Sequence, residues 1–257
     1  MRMMMIAGAV VAGVAAVGLA AAQDLPRQGY LGDAGPDTIA ILPPAPAPGS
    51  PQAEADRAIF RASRSLKDSP RWAMAIADVD ERRIVNGMSC AVGVKLDMAS
   101  LPKTAKLMIH AAPDVIRAME RPKAFYHRKR PYQIDEGAIC VVRDAELDAS
   151  PDYPSGHATW GWTFGLILAE MAPDRAARVL TRARAFGESR MVCGVHSASA
   201  VDAGFTNASA VVAALHGSPA FRADLEAATA ELAAVRQSAA PAEGCEAEAA
   251  VIATPVR

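Results

Sequence analysis

Lys123, Arg130, Arg190, His157 and His196 are the residues of this chain whose types and spacing could do chemistry together. They fall in three short stretches, Lys123 to Pro131, Pro154-Ser155-Gly156-His157 and Ser189-Arg190 to His196. One ammonium and two guanidinium groups suit a tetrahedral oxyanion, because a guanidinium fork meets its oxygens in pairs and stays charged at working pH. Histidine is the side chain that shuttles protons or attacks an electrophile near neutrality. Pro154 rejects a preceding helix, Ser155 is a natural N-cap, and the apolar run after it reads as a buried helix. The N–H groups of Gly156 and its neighbours, at the positive end of that helix, then face the loop, where an anion is stabilised. Together these groups can hold and split a phosphoester. No Walker-type loop and no metal-ligand cluster competes with them in the sequence.

The elements that must position them are helical. From Gln52, the residues Ala55, Ala58, Ile59, Ala62 and Leu66 recur at steps of three and four, and Pro70 opens a further run through Trp72, Ala75 and Ile76. A stripe from Thr104 to Met119 predicts another helix, which Pro113 is expected to divide in two. Residues 120–155 show no sustained period and read as a structured loop region. Gly156 to Met171 is apolar nearly all round; Asp174 to Phe186 is amphipathic, with Gly187 placed to end it; Ser197 to Leu215 is small and apolar; Ser218 to Ala234 is amphipathic again. Strand alternation and internal repeats are absent from the sequence. Tyr126, Tyr132, Tyr153 and Trp160 adjoin the motifs, as pocket walls or ordinary packing residues.

Residues 1–22 read as a secretory signal: Arg2, an apolar run from Ile6 to Leu19, then Ala20-Ala21-Ala22. That run is short for a membrane span, so the expectation is cleavage and a mature protein free of the membrane, in the periplasm. Residues 23–52 are Pro/Ala-rich and extended, 53–236 form one helical domain, and 237–257 form a tail expected to be flexible unless a disulfide pins it. Cys90, Cys140, Cys193 and Cys245 are an even set in an exported chain, which predicts two disulfides in one of three pairings. The formal charge of −1 becomes −2 when Arg2 leaves with the signal, so no nucleic-acid partner is expected.

Lysine, arginine, a capped helix carrying histidine, a second arginine and a second histidine, in that order, resemble the signature of the type 2 phosphatidic acid phosphatase superfamily, which includes the vanadium haloperoxidases. Within it the chain resembles the soluble, secreted class A bacterial acid phosphatases, over roughly residues 38–236. The resemblance implies an all-α, single-domain helical bundle of the acid phosphatase and haloperoxidase type. It implies that His196 is a nucleophile forming a phosphohistidine, that His157 is the general acid and base, and that Lys123, Arg130, Ser155, Gly156 and Arg190 bind the phosphoryl oxygens. No cofactor or metal is implied, and the substrate would be a small-molecule phosphomonoester, with inorganic phosphate as product and a mildly acidic optimum. Relatives of this kind are commonly homo-oligomers.

One departure matters. The family carries an aspartate four residues after the nucleophilic histidine, where it fixes the tautomer, and here that position is Ala200. Asp202, if helical with His196, would sit about 240° round and on the wrong face. Ser199 or a loop carboxylate could take the contact, but a hydroxyl cannot stabilise imidazolium as a carboxylate does. Activity is therefore expected to be reduced. The alternative is a degenerate phosphoester-binding protein of the same fold, with a vanadate-dependent haloperoxidase ranked lower because those chains are generally much longer.

Overall fold

Serine and proline punctuate the helix starts. Ser50, Ser69, Ser155, Ser197 and Ser218 each accept the backbone N–H three residues on. Pro51, Pro70, Pro102 and Pro219 occupy first turns, where a missing N–H costs nothing. The computed structural model describes residue 26 and residues 28–257; the expected signal, residues 1–22, lies outside the described residues. The helices are α1 (Thr38–Ile41), α2 (Pro51–Ser63), α3 (Pro70–Ala77), α4 (Ile84–Gly87), α5 (Ser89–Val92), α6 (Pro102–Tyr126), α7 (Ala145–Ala149), α8 (Gly156–Met171), α9 (Ala176–Cys193), α10 (Ala198–Leu215), α11 (Pro219–Ser238) and α12 (Cys245–Ile252). Among the described residues there is no strand, so the fold is all-α.

Because α8 is apolar on every side, it is the element the others surround. It packs most extensively against α9 and α10, with α6 and α11 closing the bundle. Phe164, Ile167 and Leu168 of α8 meet Val179 and Phe186 of α9, Val211 and Leu215 of α10, Leu107 and Val115 of α6, and Phe221 and Leu232 of α11, all buried. Each such side chain contributes about 1.5–3 kcal/mol relative to exposure. By length and composition α10 could also cross a membrane, but its apolar residues are spent on this core.

Three expectations need correction. Pro113 does not divide its helix: α6 runs unbroken through Pro113 and Pro122 to Tyr126, so Lys123 sits in a helical last turn instead of a loop. The carbonyl that Pro113 cannot bond belongs to Ile109, which lies on the exposed side, while the buried stripe of Leu107, Met108, Ala111 and Val115 holds both halves in register. Gly187 does not end its helix either. A Cβ there would lie 2.4 Å from the Phe205 ring, so this glycine serves close packing of α9 on α10, and α9 ends at Gly194, with φ +82°. Finally, α1 interrupts the segment expected to be extended.

The two disulfides join Cys140 to Cys193 and Cys90 to Cys245. The first ties the 134–144 loop to the end of α9, three residues before His196. The second ties α12, within the tail expected to be loose, to the start of α5.

Candidate active site

The three stretches converge where the last turn of α6, the start of α8 and the α9–α10 turn meet. A Cβ on Gly156 would lie 3.7 Å from Lys123 Nζ, which puts the ammonium against the first residue of α8. Ser150 backs two of the cations. Its Oγ lies 3.4 Å from Lys123 Nζ and accepts from Arg130 Nη2 at 3.0 Å, while its carbonyl accepts from Arg130 Nε at 2.7 Å. Arg130 Nη1 completes the contact with the α9–α10 turn, donating to the Val195 carbonyl at 2.8 Å and lying 3.1 Å from His196 Nε2.

Arg190 differs from its neighbours. It lies in the last turn of α9, buried, and its Nε and Nη1 have no hydrogen-bond partner among the described residues. Burial first, and Arg130 second, lower its pKa to about 10, with Glu81 and Asp78 opposing. It is still a cation at neutral pH. A buried cation with two unanswered donors beside another guanidinium is a costly arrangement without an anion to meet it.

His196 is the most constrained residue of the site. It is buried, and its Nδ1 lies 2.7 Å from the Asp152 carbonyl and 3.1 Å from Asp152 Oδ1. Guanidinium only donates, so Nε2 must accept from Arg130, and the single ring proton belongs on Nδ1, where both neighbours accept. Burial first, then the charges of Arg130, Arg190, Lys123 and His157, hold its pKa well below 6.5. His196 therefore keeps a neutral ring whose lone pair is on Nε2, directed at Arg130.

Asp152 is the carboxylate that Ala200 does not supply. It is fully buried in the loop before α8, and it is held from every side: its N–H donates to the Arg128 carbonyl at 2.8 Å, Oδ1 accepts from Ser197 N at 3.0 Å, and Oδ2 accepts from Ser197 Oγ at 2.6 Å. Arg128 lies 3.5 Å from Oδ2, donates to Ser197 and Ser199, and reaches Asp56 of α2 at 2.7 Å. Burial pushes the Asp152 carboxyl up, and Arg128 and Ser197 pull it back only in part.

The expected one-turn spacing does not apply. Ser197 is the N-cap of α10 and His196 precedes it, so residues 196 and 200 do not share a helical face. Ala200 is buried against Tyr153 and Leu42, and its carbonyl accepts from Ser155 N at 2.9 Å, docking the Asp152 loop onto α10. Gly204, one turn on, lets α10 approach the start of α8: a Cβ there would lie 2.8 Å from the Ser155 carbonyl. Asp202 is turned away and pairs with Arg257.

His157, in the first turn of α8, is partly exposed. Its Nδ1 lies 3.0 Å from Glu81 Oε1 and its Nε2 2.9 Å from the Val79 carbonyl. Both partners accept, so the ring satisfies both when it carries two protons. Burial works against the Glu81 carboxylate, but the His157 hydrogen bond and the charges of His157, Arg190 and Lys123 outweigh it and lower its pKa. Ser155 Oγ accepts from Ala158 N at 3.3 Å as the helix cap, a role that leaves its O–H proton to donate. The N–H groups of Gly156 and His157, in the first turn, have no acceptor within the helix.

Sequence reasoning did not single out Asp152, Arg128, Asp56, Glu81 or Ser150. For Asp152 a signal existed: an acid two residues before Pro154 in a chain lacking one at position 200. For Glu81 and Asp56, on elements remote in sequence, none did.

The PAP2 superfamily profile matches residues 107–223, the span that carries all three stretches. An acid phosphatase of Zymomonas mobilis is 42% identical over 176 residues, covering 67% of each chain. A non-specific acid phosphatase of Providencia stuartii is 35% identical, over 65% of this chain and 69% of the relative. Among solved structures, a transmembrane PAP2 type phosphatidylglycerolphosphate phosphatase from Bacillus subtilis aligns with a TM-score of 0.49 and 17% identity, over 70% of this chain and 89% of that one. With its all-α bundle, its ordered motifs and relatives of this similarity, the chain belongs to the PAP2 superfamily, in the family of the non-specific acid phosphatases.

Proposed function

We propose that the chain is a phosphomonoester hydrolase of the periplasm that works through a phosphohistidine on His196 and requires no metal. The observation that carries this reading is the buried Arg190, with two unanswered donors beside Arg130, next to a histidine whose lone pair is aimed at the same place. Lys123, Arg130, Arg190, the Ser155 hydroxyl and the Gly156 N–H hold the phosphoryl oxygens, where charge spreads as the group is transferred. His196 Nε2 attacks phosphorus in line as the ester P–O bond breaks, and a proton from His157 goes to the departing alkoxide. Water then attacks the phosphohistidine, His157 takes its proton, the P–N bond breaks, and phosphate leaves with His196 restored.

Asp152 holds the His196 tautomer and stabilises the ring as it becomes cationic, which supports turnover over a purely binding role. Glu81 orients the His157 ring through its contact at Nδ1. The partners in this reading are a small phosphomonoester and inorganic phosphate, with self-association as in related enzymes. The test is release of p-nitrophenol from p-nitrophenyl phosphate by the purified protein and by His196→Ala. The variant should be inactive while still binding phosphate; equal rates would reject the reading.

A further inference from the structure

A cavity adjoins the cluster of cations and histidines. Its volume is about 600 Å³, and its wall is built from Met108, Ala112, Ile116 and Met119 of α6 and Trp160 and Phe164 of α8. Glu81 and Arg82 stand at its polar edge, and Arg82 is already engaged by Asp80 at 2.8 Å. The cavity is of a size that takes a small organic ligand. Two contacts join it to the site. Glu81 lines it and also binds His157 Nδ1 at 3.0 Å, and the Met119 sulfur lies 3.2 Å from where a Gly156 Cβ would be. Trp160 follows Gly156 by four residues on α8, so the wall begins one turn below the anion-binding N–H groups.

Direction follows from the mechanism, on which this inference rests. In-line attack by His196 sends the leaving alkoxide to the opposite side of phosphorus, toward the proton on His157. The alcohol attached to that oxygen therefore extends past His157 toward Glu81, which lines the cavity. Apart from Glu81 and Arg82 at the edge, the wall offers thioether, indole, phenyl and aliphatic groups and no cation for a second phosphate. Sugar hydroxyls placed against it would lose water without gaining partners.

We propose that this cavity is the leaving-group subsite, and that it selects phosphomonoesters of apolar alcohols, alkyl or aryl, over sugar phosphates. Each methylene moved from water into it is worth about 0.8 kcal/mol, or about fourfold in kcat/KM.

The experiment compares kcat/KM for methyl, butyl, hexyl and octyl phosphate and for glucose 6-phosphate, all below their micelle-forming concentrations. The wild-type chain should gain about fourfold per methylene until the cavity is filled, with glucose 6-phosphate near the methyl ester. Ala112→Phe, which fills the cavity from α6, should abolish the gain and leave methyl phosphate unchanged. Ile116→Ser is a second variant at a half-exposed position that folds without repacking the bundle, and it should weaken the gain by about tenfold for octyl phosphate. Equal kcat/KM across the series, or a gain that survives both substitutions, overturns the subsite while leaving the phosphatase reading intact. Hydrolysis of none of the esters overturns both.

Discussion

Replacing Asp152 with asparagine isolates what the buried carboxylate does. The side chain keeps its shape, and the main-chain carbonyl that accepts from His196 Nδ1 at 2.7 Å stays in place, so the tautomer with Nε2 unprotonated survives. What is lost is a carboxylate charge 3.1 Å from a ring that, in the proposed mechanism, becomes cationic when Nε2 bonds to phosphorus. Two unit charges 4 Å apart at an effective dielectric near 20 interact by about 4 kcal/mol. The amide dipole of asparagine returns part of that, and a hydrogen bond to a charged group exceeds a neutral one by about 1–2 kcal/mol. The net cost is about 2–3 kcal/mol in the transition state, or about 30- to 150-fold in kcat/KM. Loss of the analogous aspartate in a serine hydrolase triad costs about 10⁴, but there the side chain alone fixes the tautomer. The assay is kcat/KM on p-nitrophenyl phosphate across pH, with phosphate inhibition and thermal melting as controls for binding and folding. Because burial raises the Asp152 pKa, the wild-type chain loses this charge toward acid pH, and the two profiles should converge there. A loss under about threefold would remove the carboxylate from the account, and a loss of 10⁴ would mean that the backbone carbonyl does not hold the ring.

The other predictions concern charge and the vacant family position. The His196 pKa is held below its unfolded value of about 6.5, so above that pH the residue carries no penalty, and as pH falls below it the unfolded chain takes up a proton that the folded one refuses. Stability should decline on the acid side of pH 6.5, and His196→Gln should flatten that decline in melting curves; an unchanged slope would contradict the buried neutral ring. Glu81→Gln removes the carboxylate that lies 3.0 Å from His157 Nδ1 and orients the ring, so kcat should fall while phosphate inhibition is unchanged, and an unchanged kcat would show that Glu81 does not position His157. Ala200→Asp should not raise the rate, because Asp152 already takes the Nδ1 proton and the new carboxylate would be buried against Tyr153 and Leu42; it should lower the melting temperature, and a tenfold gain in kcat would refute the assignment of Asp152.

Much of this molecule was legible because its signals are local. The cap at Ser155, the all-round apolarity of Gly156 to Met171 and the order of lysine, arginines and histidines all sit within a few residues of what they specify. Pro113 and Gly187 misled for the same reason. Their local preference for a break is overridden by packing, through the buried stripe of α6 in one case and the Phe205 ring in the other. Sequence reasoning allows a loop carboxylate but does not identify Asp152, because the expected pattern is four residues long on one helix, whereas the contact is made across a 44-residue separation by a loop docked on Ala200. Arg128 and Asp56 belong to the same class: two charges 72 residues apart, which no local pattern connects, form a buried network behind His196.

The central claim is that His196 Nε2, oriented by Asp152 and faced by Arg130 and Arg190, takes the phosphoryl group. Rapid acid-free quenching of the enzyme with a ³²P-labelled phosphomonoester, followed by peptide mapping, reads this directly. The account predicts an acid-labile, base-stable phosphate on the peptide containing His196, absent from His196→Ala and accumulated when His157→Asn slows its hydrolysis. Label on any other residue, or steady turnover with no labelled protein at any quench time, would contradict it.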